Sequence, residues 1–153
     1  MVPEWMKDAP NPFDTVLVAN RGEIAVRIIK AVQEAGLRAI AIYSEPDKDS
    51  LHTEMANQAI YLPGDSLSEN YLNSEAIIEA AKSSGAQAIH PGYGFLSERA
   101  EFAEAVKKSG ITWIGPSPEA IETMGDKISA RSRMIESGAV SYTHLTLPTN
   151  REV

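Results

Sequence analysis

The chain of 153 residues contains no cysteine, which excludes a disulfide framework, a thiolate nucleophile and a zinc site built on thiolates. It has no cluster of lysine and arginine, and its formal net charge is −7, so a nucleic-acid interface is not expected. Its apolar runs are short and strand-like, and none approaches the length of a membrane span. The remaining composition, 43% hydrophobic and 23% charged, is typical of one globular domain.

Residues 1–12 contain three prolines and several charged residues but no apolar core. They resemble neither a secretory signal nor a typical transit peptide, so we expect a flexible leader. Together with the lack of cysteine, this is compatible with a cytoplasmic protein.

Short apolar segments alternate with amphipathic segments along the rest of the chain. Strands are predicted at residues 15–19, 38–44, 58–62, 86–90 and 111–114. Helices are predicted between them at residues 22–35, 51–57, 73–85 and 98–109. This order predicts an α/β fold: a Rossmann-like, doubly wound parallel sheet of about five strands.

Two helix starts are predicted after the fifth strand. Ser117 and Pro118 have the pattern of an N-cap followed by proline at the first helical position. Asp126 is interpreted as the cap of a further helix that runs to Ser137 and ends at Gly138.

In doubly wound sheets, ligands bind at the carboxyl ends of the strands. The segment 20–23, which follows the first strand, has one glycine where the dinucleotide fingerprint needs three. It is therefore a weak candidate for a phosphate-binding turn. The alternative is that Arg21 and Glu23 hold neighbouring loops through charged hydrogen bonds.

The glycine-rich segment 90–95 is a stronger candidate. Two glycines flank Tyr93, so the backbone can approach a ligand closely and the tyrosine can offer a ring and a hydroxyl. Glu98 follows at the predicted start of the next helix and can help to cap it. The alternative is an ordinary strand-to-helix turn in which His90 has only a structural hydrogen bond.

Lys127 would lie in the first turn of the helix capped by Asp126. A lysine there opposes the helix dipole, unless it serves an anion such as a phosphate. The alternative is a solvated lysine. Elsewhere, His52 and Glu54 are two positions apart, which is not the spacing of metal ligands on one helix face, so no metal site made by the protein alone is predicted.

Four strings, taken together and in this order, resemble the biotin carboxylase family found in acyl-CoA, pyruvate and urea carboxylases. The resemblance extends over about residues 13–140. The strings are A-N-R-G-E-I-A-V-R-I from residue 19, H-P-G-Y-G-F-L-S-E from residue 90, W-I-G-P-S from residue 113 and M-G-D-K from residue 124.

The resemblance implies a pre-ATP-grasp domain at residues 13–125 and the start of a linker and ATP-grasp region at 126–140. It implies an enzyme that uses Mg-ATP and bicarbonate to carboxylate biotin on a carrier protein, working with a carboxyltransferase component. By the same resemblance, Lys127 would contact ATP phosphates, Tyr93 and Gly94 would line the biotin pocket, and Glu98 is a further cofactor-binding candidate. A homodimer through Lys30 and Glu34 of the first helix is a weaker implication, since lysine stands at position 30 where arginine is common.

The tail, residues 141–153, departs from the family and reads like translated vector sequence. The glycine-rich lid and the magnesium ligands of the family are not found in the chain. We therefore expect a truncated carboxylase that cannot turn over ATP alone. The alternative is a stand-alone nucleotide-binding or dimerising module on the same sheet.

Overall fold

The computed structural model of the chain describes residues 13–136. The predicted leader, the predicted helix end at Gly138 and the predicted tail lie outside the described residues. Five strands and five helices follow one another in the order of a βαβ fold. The strands are β1 Thr15–Val18, β2 Arg38–Tyr43, β3 Gln58–Tyr61, β4 Ala88–His90 and β5 Thr112–Trp113. The helices are α1 Gly22–Glu34, α2 Leu51–Met55, α3 Ser74–Ser84, α4 Ala100–Lys108 and α5 Pro118–Glu136.

The five strands form one sheet in the order β3-β2-β1-β4-β5, and every neighbouring pair is parallel. The chain first builds the sheet outward from β1 to β3 and then returns to add β4 and β5 on the other side of β1. This is the predicted doubly wound α/β fold, and the order reverses between β1 and β4.

Alternate residues of the strands face the two sides of the sheet and enter two different cores. Leu17, Ile40 and Ile89 pack with residues of α3 and α4, including Ile77 and Phe102. On the opposite face the strands present smaller residues, which pack against α1. They are Val16, Val18, Ala39, Ala41 and Ala88.

All five predicted strands are confirmed, each shorter than predicted. Two predicted caps are also confirmed: the Asn73 side chain accepts a hydrogen bond from the Ala76 amide at 3.1 Å, and the Ser117 hydroxyl accepts one from the Ala120 amide at 3.1 Å. The helix predicted from residue 98 begins at Ala100, because Phe95–Glu98 forms a turn of 3-10 helix first.

The separate helix predicted to begin at Asp126 is wrong. Helix α5 runs without a break from Pro118 to Glu136, so Gly125 and Asp126 lie inside it. A glycine in a helix costs only about 1 kcal/mol relative to alanine, which is less than a second pair of helix ends would cost in unpaired backbone groups. The predicted domain boundary at residues 125–126 thus falls within α5.

Within residues 13–136, no helix combines the length and the apolar character that crossing a membrane requires.

Candidate functional site

The candidate site lies at the carboxyl end of the sheet, where the strand order reverses. The Ala19 amide donates to the His90 carbonyl at 2.9 Å, so β1 and β4 remain paired up to their last residues. The segments that follow, 20–23 and 91–94, therefore leave the sheet side by side. Such a reversal opens a crevice between the two departing segments, which is where ligands bind in folds of this class.

The side chain of Asn20 joins these two segments. It is only 3% exposed. Its Nδ2 donates to the carbonyl of Pro91 at 2.9 Å and to the carbonyl of Tyr93 at 2.8 Å. Its Oδ1 accepts from the amide of Arg21 at 2.9 Å. The amide of Asn20 is thus buried with both of its ends hydrogen-bonded.

Tyr93 and Gly94 lie at the outer end of the turn. Tyr93 is 70% exposed and is one of the exposed large hydrophobic residues of the domain. Gly94 has a φ of 69°, in the region that favours glycine, and an added Cβ there would meet open space. The backbone at Gly94 is therefore accessible to a ligand beside the tyrosine ring.

An open groove of about 630 Å³ begins at this turn and runs along α1. His90, Gly92 and Tyr93 line one end of it. The rest is mainly apolar, lined by residues such as Ile28, Leu37 and Ile114 together with others from α1, β1 and the segment before β1. A groove of this size and polarity can hold a small organic group or a side chain from another segment.

A partly buried cluster of charged and aromatic groups lies beside the turn, with Asp47 and Tyr71 buried and Arg21 exposed. The Arg21 guanidinium donates to Oδ1 of Asp47 at 2.7 Å. The Tyr71 hydroxyl donates to Oδ2 of the same carboxylate at 2.6 Å, and it accepts from the Ser44 amide at 3.2 Å. The guanidinium carbon lies 5.5 Å from the centre of the Tyr71 ring. Arg21 therefore holds a neighbouring loop through a charged hydrogen bond, as the alternative interpretation of this segment predicted.

The environment of this cluster sets two protonation states. Burial acts to raise the pKa of Asp47, but the hydrogen bonds from Tyr71 and Arg21 and the charge of Arg21 outweigh it, so the pKa lies below the ordinary aspartate value. Burial, followed by the hydrogen bond to Asp47, raises the pKa of Tyr71. The carboxylate is therefore charged and the phenol neutral at neutral pH.

His90 ends β4 and shapes the start of the turn. Its Nδ1 accepts a hydrogen bond from the Gly92 amide at 3.1 Å, which requires that this nitrogen carries no proton. Burial lowers the pKa of His90 below its ordinary value. The contact is a structural hydrogen bond of the kind that the alternative interpretation of this segment described.

The structure brings three of the four predicted site residues into one segment. Tyr93, Gly94 and Glu98 all lie between β4 and α4, and Glu98 belongs to the 3-10 turn. Glu98 is not the N-cap residue of α4: that position is Arg99, whose side chain makes no capping hydrogen bond. Lys127 is exposed and belongs to a different element, α5.

The predicted physical reason for Lys127 is wrong. Lys127 lies about two and a half turns after Pro118, in the interior of α5, where the helix dipole no longer acts strongly. Its position therefore carries no local electrostatic cost that a phosphate would need to offset. A role in phosphate binding rests on the resemblance alone.

Among residues 13–136, no group of three or more histidine or acidic side chains is arranged to hold a metal ion. His52 is 1% exposed, and its two ring nitrogens contact the Ser50 hydroxyl at 2.9 Å and the Ile42 carbonyl at 3.0 Å. It is a satisfied core histidine, and its ring is not available as a ligand.

Sequence reasoning missed three residues of this region: Asn20 as the link between the two segments, and Asp47 and Tyr71 as partners of Arg21. Asn20 carried a usable signal, since a polar residue stands directly after a buried strand. Asp47 and Tyr71 carried none, because they are 24 positions apart and meet only through the fold.

The comparisons with known proteins point to one family. The model of the family described as "Biotin carboxylase, N-terminal domain" matches residues 12–121. A biotin carboxylase of Halalkalibacterium halodurans is 54% identical over 126 residues, which is 82% of this chain and 28% of that enzyme. The chain thus spans about a quarter of the length of this relative.

Solved structures agree. The urea carboxylase of Kluyveromyces lactis superimposes with a TM-score of 0.75 at 51% identity, covering 79% of this chain and 11% of that one. The biotin carboxylase domain of a thermophilic 2-oxoglutarate carboxylase gives 0.73 at 47% identity, covering 82% of this chain and 28% of that one. That domain was solved with ADP and, separately, with bicarbonate.

Proposed function

The chain belongs to the biotin carboxylase family and matches its amino-terminal domain, and we propose that it forms the amino-terminal part of an enzyme of this kind. Such an enzyme uses ATP and bicarbonate to carboxylate biotin on a carrier protein. The observation that carries this proposal is the turn at residues 91–94. It lies where the strand order reverses, it exposes Tyr93, and it opens onto an apolar groove. The ADP and the bicarbonate found in a similar domain support ATP, of which ADP is the product, and bicarbonate as substrates here.

Tyr93 and Gly94 are the proposed contacts for biotin. The exposed ring of Tyr93 offers an apolar face and a hydroxyl, and Gly94 leaves its backbone open beside it. Biotin is a fused-ring compound with polar ureido atoms and an apolar tail, which suits a turn of this kind next to an apolar groove. Glu98, in the same segment, is a further proposed contact.

Lys127 is the proposed contact for ATP phosphates. Its side chain is exposed on α5, so the ammonium group is free to meet a ligand held by another domain. A lysine binds phosphate as a mobile point charge, which needs no preformed pocket. Residues 13–136 do not fit a magnesium site, so we propose that the ligands of the ion come from ATP and from residues outside this range.

The proposed partners are a biotin carboxyl carrier protein and a carboxyltransferase component, and the proposed compartment is the cytoplasm. A homodimer through α1, with Lys30 and Glu34 at the contact, is part of the same proposal. Both residues lie on this helix, which forms one wall of the open groove. Because the chain matches only the amino-terminal part of its relatives, we further propose that the 153 residues alone do not turn over ATP.

A chimaera tests this function. In it, residues 13–136 of this chain replace the matching segment of the Halalkalibacterium halodurans biotin carboxylase. We expect the chimaera to form ADP in a reaction that depends on both bicarbonate and free biotin. The 153-residue chain measured alongside should form none. A chimaera that is folded by circular dichroism and yet shows no biotin-dependent ADP formation would contradict the proposal.

The role of Lys127 is tested in the same chimaera. Lys127→Gln should raise the KM for ATP about tenfold or more, as expected for the loss of a charged contact to phosphate. Lys107→Gln, on α4 and also exposed, is the matched control and should leave the KM for ATP unchanged. An equal KM for ATP in the two variants would show that Lys127 does not contact ATP.

A further inference from the structure

We infer that Asn20 is the positioning residue of the biotin site, and that it holds the 91–94 turn in the shape that presents Tyr93 and Gly94. This inference rests on the proposed function for its ligand. The role of Asn20 in holding the turn rests on the contacts of its side chain.

The contacts of Asn20 require a neutral amide. Its Nδ2 donates both hydrogens, one to the Pro91 carbonyl and one to the Tyr93 carbonyl, while Oδ1 accepts from the Arg21 amide. A carboxylate would place an oxygen against two carbonyl oxygens, and an alanine would leave both carbonyls without this donor. Because the site is nearly closed to solvent, water cannot readily replace the lost donor.

Gly92 shows how closely the turn is fitted to this side chain. Its φ is 68°, and a Cβ added there would lie 2.7 Å from Nδ2 of Asn20. The backbone at residue 92 therefore packs directly on the amide. Asn20 determines the distance between the end of β1 and the turn, and with it the position of Tyr93.

The far end of the turn is held through the next residue along the chain. The ring of Phe95 stacks on that of Tyr71 with centroids 5.6 Å apart and planes 18° apart. Tyr71 is in turn held by Asp47, which Arg21 also contacts. Asn20 thus fixes the turn directly, while Arg21 supports its other end through Asp47, Tyr71 and Phe95. Asn20 and Arg21 therefore both hold the 91–94 turn, and this role does not require a bound phosphate.

The first experiment uses the 153-residue chain and reads the turn itself. In Asn20→Asp, the backbone carbonyl ¹³C resonances of Pro91 and Tyr93 should move, because each loses a hydrogen-bond donor. Asn73→Ala removes a helix cap elsewhere in the domain and is the matched control, which should leave both resonances in place. Asn20→Ser, which is uncharged and too short to reach both carbonyls, gives the same test if Asn20→Asp does not fold. Unchanged resonances in a folded Asn20 variant would overturn the inference.

The second experiment uses the chimaera and separates positioning from general damage. Asn20→Asp should raise the KM for free biotin about tenfold to a hundredfold, as displaced binding groups do, and leave the KM for ATP within about twofold. Asn73→Ala should change neither constant. An equal rise in both constants would show a merely structural role and overturn the inference. If the unsubstituted chimaera lacks biotin-dependent activity, the proposed function fails, and the carbonyl resonances still decide the role of Asn20 in the turn.

Discussion

The hydroxyl of Tyr71 donates a hydrogen bond of 2.6 Å to Oδ2 of Asp47, and this contact joins the loop after β2 to the segment before α3. The acceptor is a charged carboxylate whose side chain is only 11% exposed. Hydrogen bonds to charged, buried acceptors are stronger than those between neutral groups. The contact should therefore contribute measurably to the stability of the carboxyl edge of the sheet.

Tyr71→Phe removes this hydroxyl and keeps the ring. We expect the free energy of unfolding to fall by about 1–3 kcal/mol, because the carboxylate of Asp47 loses a donor that water replaces poorly. Urea denaturation of the 153-residue chain measures the change. Tyr93→Phe removes the hydroxyl of an exposed tyrosine and should change the free energy by less than about 0.5 kcal/mol. A similar small change in both variants would contradict the expectation.

The lowered pKa of Asp47 makes stability depend on pH in acid. In the unfolded chain the carboxyl titrates near its ordinary value of about 3.9, so its contribution to stability is complete above that pH. The contribution is lost as the pH falls further, through the lower pKa of the folded state. The stability difference between the parent chain and Asp47→Asn should therefore shrink between pH 6 and pH 3. Tyr71→Phe should show an intermediate dependence, and a difference that stays constant over this range would refute the assignment.

His90 should add a second pH dependence, closer to neutrality. Burial lowers its pKa in the folded chain, so folding favours the neutral ring, and the hydrogen bond from the Gly92 amide needs it. The contribution is complete above about pH 6.5, the ordinary value in the unfolded chain, and declines below it. His90→Asn keeps an acceptor near the same place but does not titrate. The free energy of unfolding should decrease from pH 7.5 to pH 5.5 by less in His90→Asn than in the parent chain. An equal decrease in the two proteins would exclude the effect.

Gly92→Ala should cost more than backbone strain alone. Gly110 has a similar positive φ of 86°, and a Cβ there meets open space, so Gly110→Ala measures strain, which is about 1–2 kcal/mol. At Gly92 the added Cβ also meets Nδ2 of Asn20. We expect Gly92→Ala to lower the free energy of unfolding by at least about 1 kcal/mol more than Gly110→Ala does. Equal costs in urea denaturation would mean that the turn can move away from Asn20.

Much of the fold could be predicted because its signals are local. A short apolar run such as residues 38–43 is typical of a central parallel strand that is buried on both faces. A glycine such as Gly85 ends the helix that precedes it. The predicted break at Asp126 failed because glycine and aspartate are also tolerated inside a helix. Whether a helix continues past them depends on length and on packing against α4, which the sequence pattern does not contain.

The candidate site was only partly predictable. The position of Tyr93 after a strand, with Gly92 and Gly94 on either side of it, indicated an accessible turn, and the structure shows one. What holds that turn could not be predicted, since Asn20 and Tyr93 are 73 positions apart and their contact follows from the order of the strands. Each side chain has several possible partners in the sequence, and the fold selects among them.

The unbroken course of α5 has a consequence for Lys127. Ile121 packs against Ala100 and Ala103 and so fixes the rotation of the helix about its own axis. Lys127 follows six positions later, which places it about 120° around the helix from Ile121 and about 9 Å further along it. The side of α5 from which the Lys127 side chain leaves the helix is therefore determined by the number of residues between the two. A single inserted residue in that interval would turn Lys127 by about 100° about the helix axis, with every chemical group of the domain still present.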